Sequence, residues 1–154
     1  MFKKIYTPIL ALTMLFSFAG KAEAFDYEQC MDRARGLGDL EMAKCKHSQT
    51  TIELNELKQD YNAIAQGPEY KTVISANDLK RMYNAWQIYR DTYCKAFING
   101  FRVASVNAYA SQVELNNAAD YYYEHCLQEF TSNAKDYMFA LKSSVVPEEH
   151  DHKD

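Results

Sequence analysis

Helix breakers are scarce in this chain. Five glycines and three prolines are spread over 154 residues, so long stretches run uninterrupted. That disfavours a fold of many short strands joined by tight turns. Long apolar runs are equally few. Only residues 9–19 form one, and it falls short of the roughly 20 residues that span a bilayer. No C-x-x-C pair exists among the four cysteines, whose gaps are 15, 49 and 32 residues, which argues against a structural zinc site. A basic excess is missing too: 17 Lys and Arg face 21 Asp and Glu. Nucleic acid and anionic membranes are therefore poor partners.

What is present begins with an export pattern. Lys3 and Lys4 precede the apolar run, and Ala22-Glu23-Ala24 is a small-x-small cleavage site. The pattern predicts a signal peptide over residues 1–24, removed after Ala24, and a periplasmic or secreted product with no membrane span. Cys30 lies too far from the run to be a lipid anchor. Cleavage leaves 130 residues, enough for one domain with its own core. Removal of Lys3, Lys4, Lys21 and Glu23 leaves 14 basic and 20 acidic residues, a formal charge of −6. Such a charge suits a cationic partner, or plain solubility.

The remainder reads as helix. Tyr27 to Arg35 predicts a short one, ended by Gly36-Leu37-Gly38. Asp39 is placed to cap a second helix reaching Gln66, with Leu54, Leu57, Tyr61 and Ile64 at spacings of three and four. Gly67-Pro68 stops it. Ser75, with Asp78 three residues on, opens a third helix toward Ala110. Its stripe is Leu79, Tyr83, Trp86, Tyr93 and Phe97, with Arg90 in line. A last helix runs from about Leu115 to Lys142, its inner face marked by Leu115, Ala119, Tyr122, Cys126, Phe130, Tyr137 and Leu141. The expected fold is all-α: three long helices and a short N-terminal one, an antiparallel bundle with two disulfides over residues 25–146. Residues 147–154 form a charged tail expected to be disordered.

An even number of cysteines in an oxidising compartment implies disulfides. If the helices either side of Gly67-Pro68 pack antiparallel, residues equidistant from the turn face each other. The midpoint between Cys45 and Cys94 falls between Glu69 and Tyr70, in that turn. The predicted pairs are therefore Cys45–Cys94 and Cys30–Cys126. The first would close a 49-residue loop, worth about 4 kcal/mol by loop entropy. Cys45 lies half a turn off the Leu54–Ile64 stripe, so either the helix is irregular near residues 48–51 or two of its faces are buried.

No catalytic constellation is evident. Oxidised cysteines leave no thiolate, and His47 and His125 sit in no triad or metal signature. The expectation is a non-enzymatic protein without cofactor or metal. His150 and His152 offer the tail a weak affinity for a transition metal at most. Tyr121, Tyr122 and Tyr123 cannot all face inward on a helix, and exposed tyrosines favour binding surfaces. They are the candidate surface.

Several of these residues together resemble a known family. Met42 and Cys45 precede Leu54, Asn55 and Tyr61; then comes the block Trp86-x-x-Tyr89-Arg90-Asp91-x-x-Cys94, and finally Cys126. The order is similar to the LprI-like lysozyme-inhibitor family of small exported bacterial domains, from about Cys30 to Leu141. The tryptophan-to-cysteine block is its most specific part. The Lys95–His125 link is longer than the family's and rich in Tyr and Asn. The resemblance implies a binding protein that occludes the cleft of a lysozyme-type muramidase, a cationic protein partner. Alternatives are an immunity protein against a toxin delivered to the periplasm, or an envelope scaffold domain. The motif residues Leu54, Asn55, Tyr61, Trp86, Tyr89, Arg90 and Asp91 are expected to hold the fold, with Arg90 satisfied by Asp91, by a carbonyl, or by an acid on another helix such as Asp60.

Overall fold

The computed structural model describes residues 24–144. The expected signal peptide (residues 1–24, apart from Ala24 itself) and the tail (147–154) lie outside the described residues. So do residues 145–146, the last two assigned to the domain.

Among the described residues the chain forms four α-helices and no strand. Helix α1 spans Tyr27–Arg35 and is capped by Asp26, whose carboxylate accepts from the Gln29 N–H at 2.9 Å. Gly38, at φ 103°, turns the chain into α2, Asp39–Gln66. That left-handed backbone favours glycine. Asp39 is thus the first residue of the helix and not its cap. A short 3₁₀ turn, Pro68–Thr72, leads to α3, Ala76–Ala104, which Ser75 caps as expected. Helix α3 passes through Gly100 and stops six residues before Ala110. Helix α4, Gln112–Ser143, starts three residues earlier than expected. Ser111 accepts from the Glu114 N–H, and Glu114 accepts in turn from the Ala110 N–H. This reciprocal arrangement closely resembles a capping box.

Side-chain pairs give the register. Lys46 meets His125 and Gln128, Glu56 meets Lys135, and Asp60 meets Lys142 at 2.7 Å. Numbers rise together, so α2 and α4 run parallel, in the most extensive helix pairing of the molecule. Arg102 faces Asp120 and Tyr89 faces Phe130, so α3 runs antiparallel to α4. Helix α1 folds back along α2, with Lys46 reaching the Tyr27 hydroxyl at 3.2 Å.

The disulfides are Cys30–Cys45 and Cys94–Cys126, each with a Cα separation of 5.8 Å. The expected pairs, Cys45–Cys94 and Cys30–Cys126, are both corrected. Antiparallel symmetry does govern the pairing, but about different turns. The midpoint of Cys30 and Cys45 lies between Leu37 and Gly38, and that of Cys94 and Cys126 at Ala110. Helices α2 and α3 share far less contact than α2 and α4, and they meet near their own connection, where Tyr61 packs on Tyr83 at 4.9 Å. At the cysteine level their neighbours are α1 and α4. Each bridge therefore staples a hairpin of consecutive helices.

Helix α2 is unbroken and buries two faces. Cys45 turns to α1. The stripe toward α4 is Lys46, Thr50, Glu53, Leu57 and Ile64, polar in its first half and apolar in its second. The apolar half joins Tyr70, Leu79 and Met138 in the main core cluster, with Tyr61, Met82, Tyr83, Trp86 and Leu141 packed around it. Full burial of a Leu or Met side chain contributes about 1.5–3 kcal/mol.

Candidate functional site

In α3 the inward positions are Leu79, Arg90, Cys94 and Ile98. In α4 they include Cys126, Thr131 and Met138. Successive residues of a helix are about 100° apart, so each residue just before an inward one falls on its flank. Those residues are Tyr89, Tyr93 and Phe97 on α3, and Phe130 and Tyr137 on α4. The Cys94–Cys126 bridge holds the two helices together at this level. The flanks form one groove lined by aromatic rings.

The groove has two parts that share Tyr89 and Phe130. The first, of about 330 Å³, is floored by Leu57, Met82, Trp86 and Met138 and is almost wholly apolar. Asn133 is its one amide side chain. The second, of about 300 Å³, is walled by Tyr93, Phe97 and Tyr122, with Glu129 at its edge. Tyr93 and Phe130 centroids are 5.3 Å apart, Tyr89 and Phe130 5.6 Å, Tyr89 and Tyr93 5.9 Å. These rings pack on each other and still face outward: Tyr89 and Tyr137 are 58 % exposed, Tyr93 47 % and Phe97 46 %. Tyr83 turns deeper, and burial raises its hydroxyl pKa above the ordinary tyrosine value of 10.0.

The residues expected from the sequence are distributed differently. The Arg90 guanidinium lies over the Trp86 ring at 5.0 Å and grips Asp91 through Nε and Nη2, at 2.8 and 2.7 Å. It is buried and does not line the groove. Of the expected acids, Asp91 is its partner and Asp60 is not; Asp60 binds Lys142. Leu54 is half-buried and Asn55 exposed. Tyr89, assigned a structural role, is open in the groove.

The tyrosine triplet does not act as one surface. Tyr121 stacks on His125 beneath the Lys46 ammonium, which is 5.2 Å from its ring. Tyr122 packs on Phe101 at 4.9 Å and is the one member lining the groove. Tyr123 turns to the other side of α4, where burial, then the Asp91 carboxylate, raises its hydroxyl pKa. Tyr93, Phe97, Phe130 and Tyr137 were assigned inward by periodicity and lie on the flank. Cys94 marked the true inward line, and Tyr93 and Phe97 sit to one side of it.

Both helix histidines have partners. His47 Nδ1 lies 3.2 Å from Glu124, and His125 contacts Lys46 through Nδ1 and Glu129 through Nε2. Among the described residues no His, Cys, Asp and Glu group has a metal-binding arrangement, and no helix is long and apolar enough to cross a membrane. Fold and groove together define a small all-α domain, stapled twice, with an open aromatic face. The two disulfides belong to an oxidising, extracytoplasmic environment. No family model, curated protein or solved structure matches the chain.

Proposed function

We propose that this is an exported binding domain whose α3–α4 groove docks on a protein partner, and that the partner is a lysozyme-type muramidase whose cleft it blocks. One observation carries the binding role: a continuous groove rimmed by exposed rings that the core does not need. Tyrosine and tryptophan supply large contact area at small entropic cost, and protein interfaces are enriched in them. The export pattern and the two disulfides support action outside the cytoplasm. The Trp86-to-Cys94 block and its resemblance to the LprI-like inhibitors support the choice of partner, as does the acidic balance of the chain. Inhibition would come from occlusion, with no bond made or broken.

The test is hydrolysis of peptidoglycan by a c-type lysozyme in the presence of the chain from Phe25 onward. Inhibition should be measurable at micromolar protein in low salt and weaker in high salt, because charge steering is screened. Tyr89→Ser combined with Tyr137→Ser should abolish it without loss of helicity. Absence of inhibition in low salt moves the assignment to an immunity protein, to be sought against toxins delivered to the periplasm.

A further inference from the structure

We infer that the second part of the groove is a recognition site for a cationic side chain, arginine or lysine, presented by the protein partner. This rests on the groove being the binding face and adds which side chain it takes. Three rings, Tyr89, Tyr93 and Phe130, cluster within 5.9 Å of one another and leave faces open to solvent. Ring faces carry the negative lobe of the aromatic quadrupole and attract cations. The chain already uses this chemistry, with Arg90 over Trp86 and Lys46 over both Tyr27 and Tyr121.

Charge around the groove is sorted in the same sense. Glu129 stands at its edge, 66 % exposed, with one oxygen 3.4 Å from Nε2 of His125, which also lines this part. Asp136, exposed, follows seven residues later on the same helix face. The cations of these helices go elsewhere. Lys135 and Lys142 reach across to Glu56 and Asp60 of α2. Arg90 is held by Asp91, and Lys95 and Arg102 line a different hollow with Asp120. Lys46 is buried behind His125. The groove therefore offers ring faces and the Glu129 carboxylate, with no lysine or arginine in its lining to compete with an incoming one; the one nitrogen base there is the His125 imidazole. The apolar first part, which shares Tyr89 and Phe130 with it, would take an aliphatic neighbour of that cation.

The experiment uses the chain from Phe25 with carbon-13-labelled aromatic residues. It is titrated at low salt with acetyl-Gly-Leu-Xaa-Gly-amide, where Xaa is arginine, lysine, citrulline or norleucine. Ring signals of Tyr89, Tyr93 and Phe130 should shift saturably. The arginine and lysine peptides should bind about three-fold tighter than the neutral ones, the size of an exposed cation–π contact. Glu129→Gln, a solvent-facing change that spares the fold, should reduce that preference; Tyr93→Leu should remove it. Equal binding of the norleucine peptide overturns the cation site and leaves an apolar binding face. Shifts confined to Tyr27 and Tyr121 overturn it as well. Selective binding of the cationic peptides without inhibition of lysozyme upholds the site and rejects the muramidase as partner.

Discussion

The two ends of this bundle are held by different means. Toward the Gly67 turn, Leu57, Ile64, Tyr70, Leu79 and Met138 exclude water from an apolar cluster. Toward the other end the same α2 stripe buries Lys46, Thr50 and Glu53. Lys46 donates to the Tyr27 hydroxyl and to Gln128 Oε1, and meets His125 Nδ1, all within 3.3 Å. Thr50 Oγ1, Glu53 Oε2 and Arg90 Nη1 have no hydrogen-bond partner among the described residues. A buried polar atom left without partners costs about 1–3 kcal/mol. Both disulfides lie at this polar level, since Lys46 and His125 are the chain neighbours of Cys45 and Cys126. Cross-links stand where burial is least favourable.

Breaking the staples should separate the ends most strongly. Replacing Cys94 and Cys126 by Ala opens a 32-residue loop and should cost about 4 kcal/mol; the same change at Cys30 and Cys45, separated by 15, should cost about 3. Urea midpoints measure both, and a reversed order would show that native packing outweighs loop length. Next comes the apolar end. Leu79→Ala removes a fully buried side chain and should cost about 3 kcal/mol. Leu79 is 15 residues from Cys94 along one helix, about 22 Å, so the two losses should add. Strong non-additivity in the combined variant would mean that the ends are one cooperative unit.

The polar end makes a finer test. Gln128→Leu leaves the buried ammonium short of an acceptor and should cost about 2 kcal/mol. Lys46→Met removes the charge itself and should cost less, about 1 kcal/mol, because Tyr27 and Gln128 already pair at 3.3 Å. Equal losses in thermal melts would contradict that account.

Titration should be felt at the apolar end's margins. The Ser75 hydrogen bond, then Arg81, holds the Asp78 pKa below 3.8. A lowered carboxylate stabilises above its unfolded value, and that contribution fades as pH falls through the folded one. The Asp60 hydrogen bond raises Lys142 above 10.5, and burial raises Tyr83 above 10.0. Their contributions are complete below those values and are lost as pH rises through the folded ones. Stability against urea should therefore decline at both extremes, and Asp78→Asn should flatten the acid limb alone. The smallest effect belongs to the groove. Tyr89→Ser should change stability by no more than about 0.5 kcal/mol, which separates an open binding ring from core.

The helices were legible because their signals are local. Helix α2 was readable to within one residue from the Gly36-to-Gly38 turn and the Gly67-Pro68 stop, with Asp39 its first residue where a cap was expected, and Ser75 capped α3 as its spacing required. The Ser111-to-Glu114 cap is an equally local signal, and it starts α4 three residues ahead of Leu115. The groove was less legible. Hydrophobic spacing cannot tell an aromatic residue that enters the core from one that borders it, so Tyr93, Phe97 and Tyr137 passed for core.

Local chemistry along the chain thus sets where each helix begins and ends and that sulfur bonds join them. Which cysteines meet, and which rings stay in water, follows from the parallel seating of α4 on α2. That seating depends on side chains some eighty positions apart, such as Lys46 with His125 and Asp60 with Lys142. Periodicity orients one helix about its own axis, whereas the choice of neighbour is made by all the surfaces packing at once.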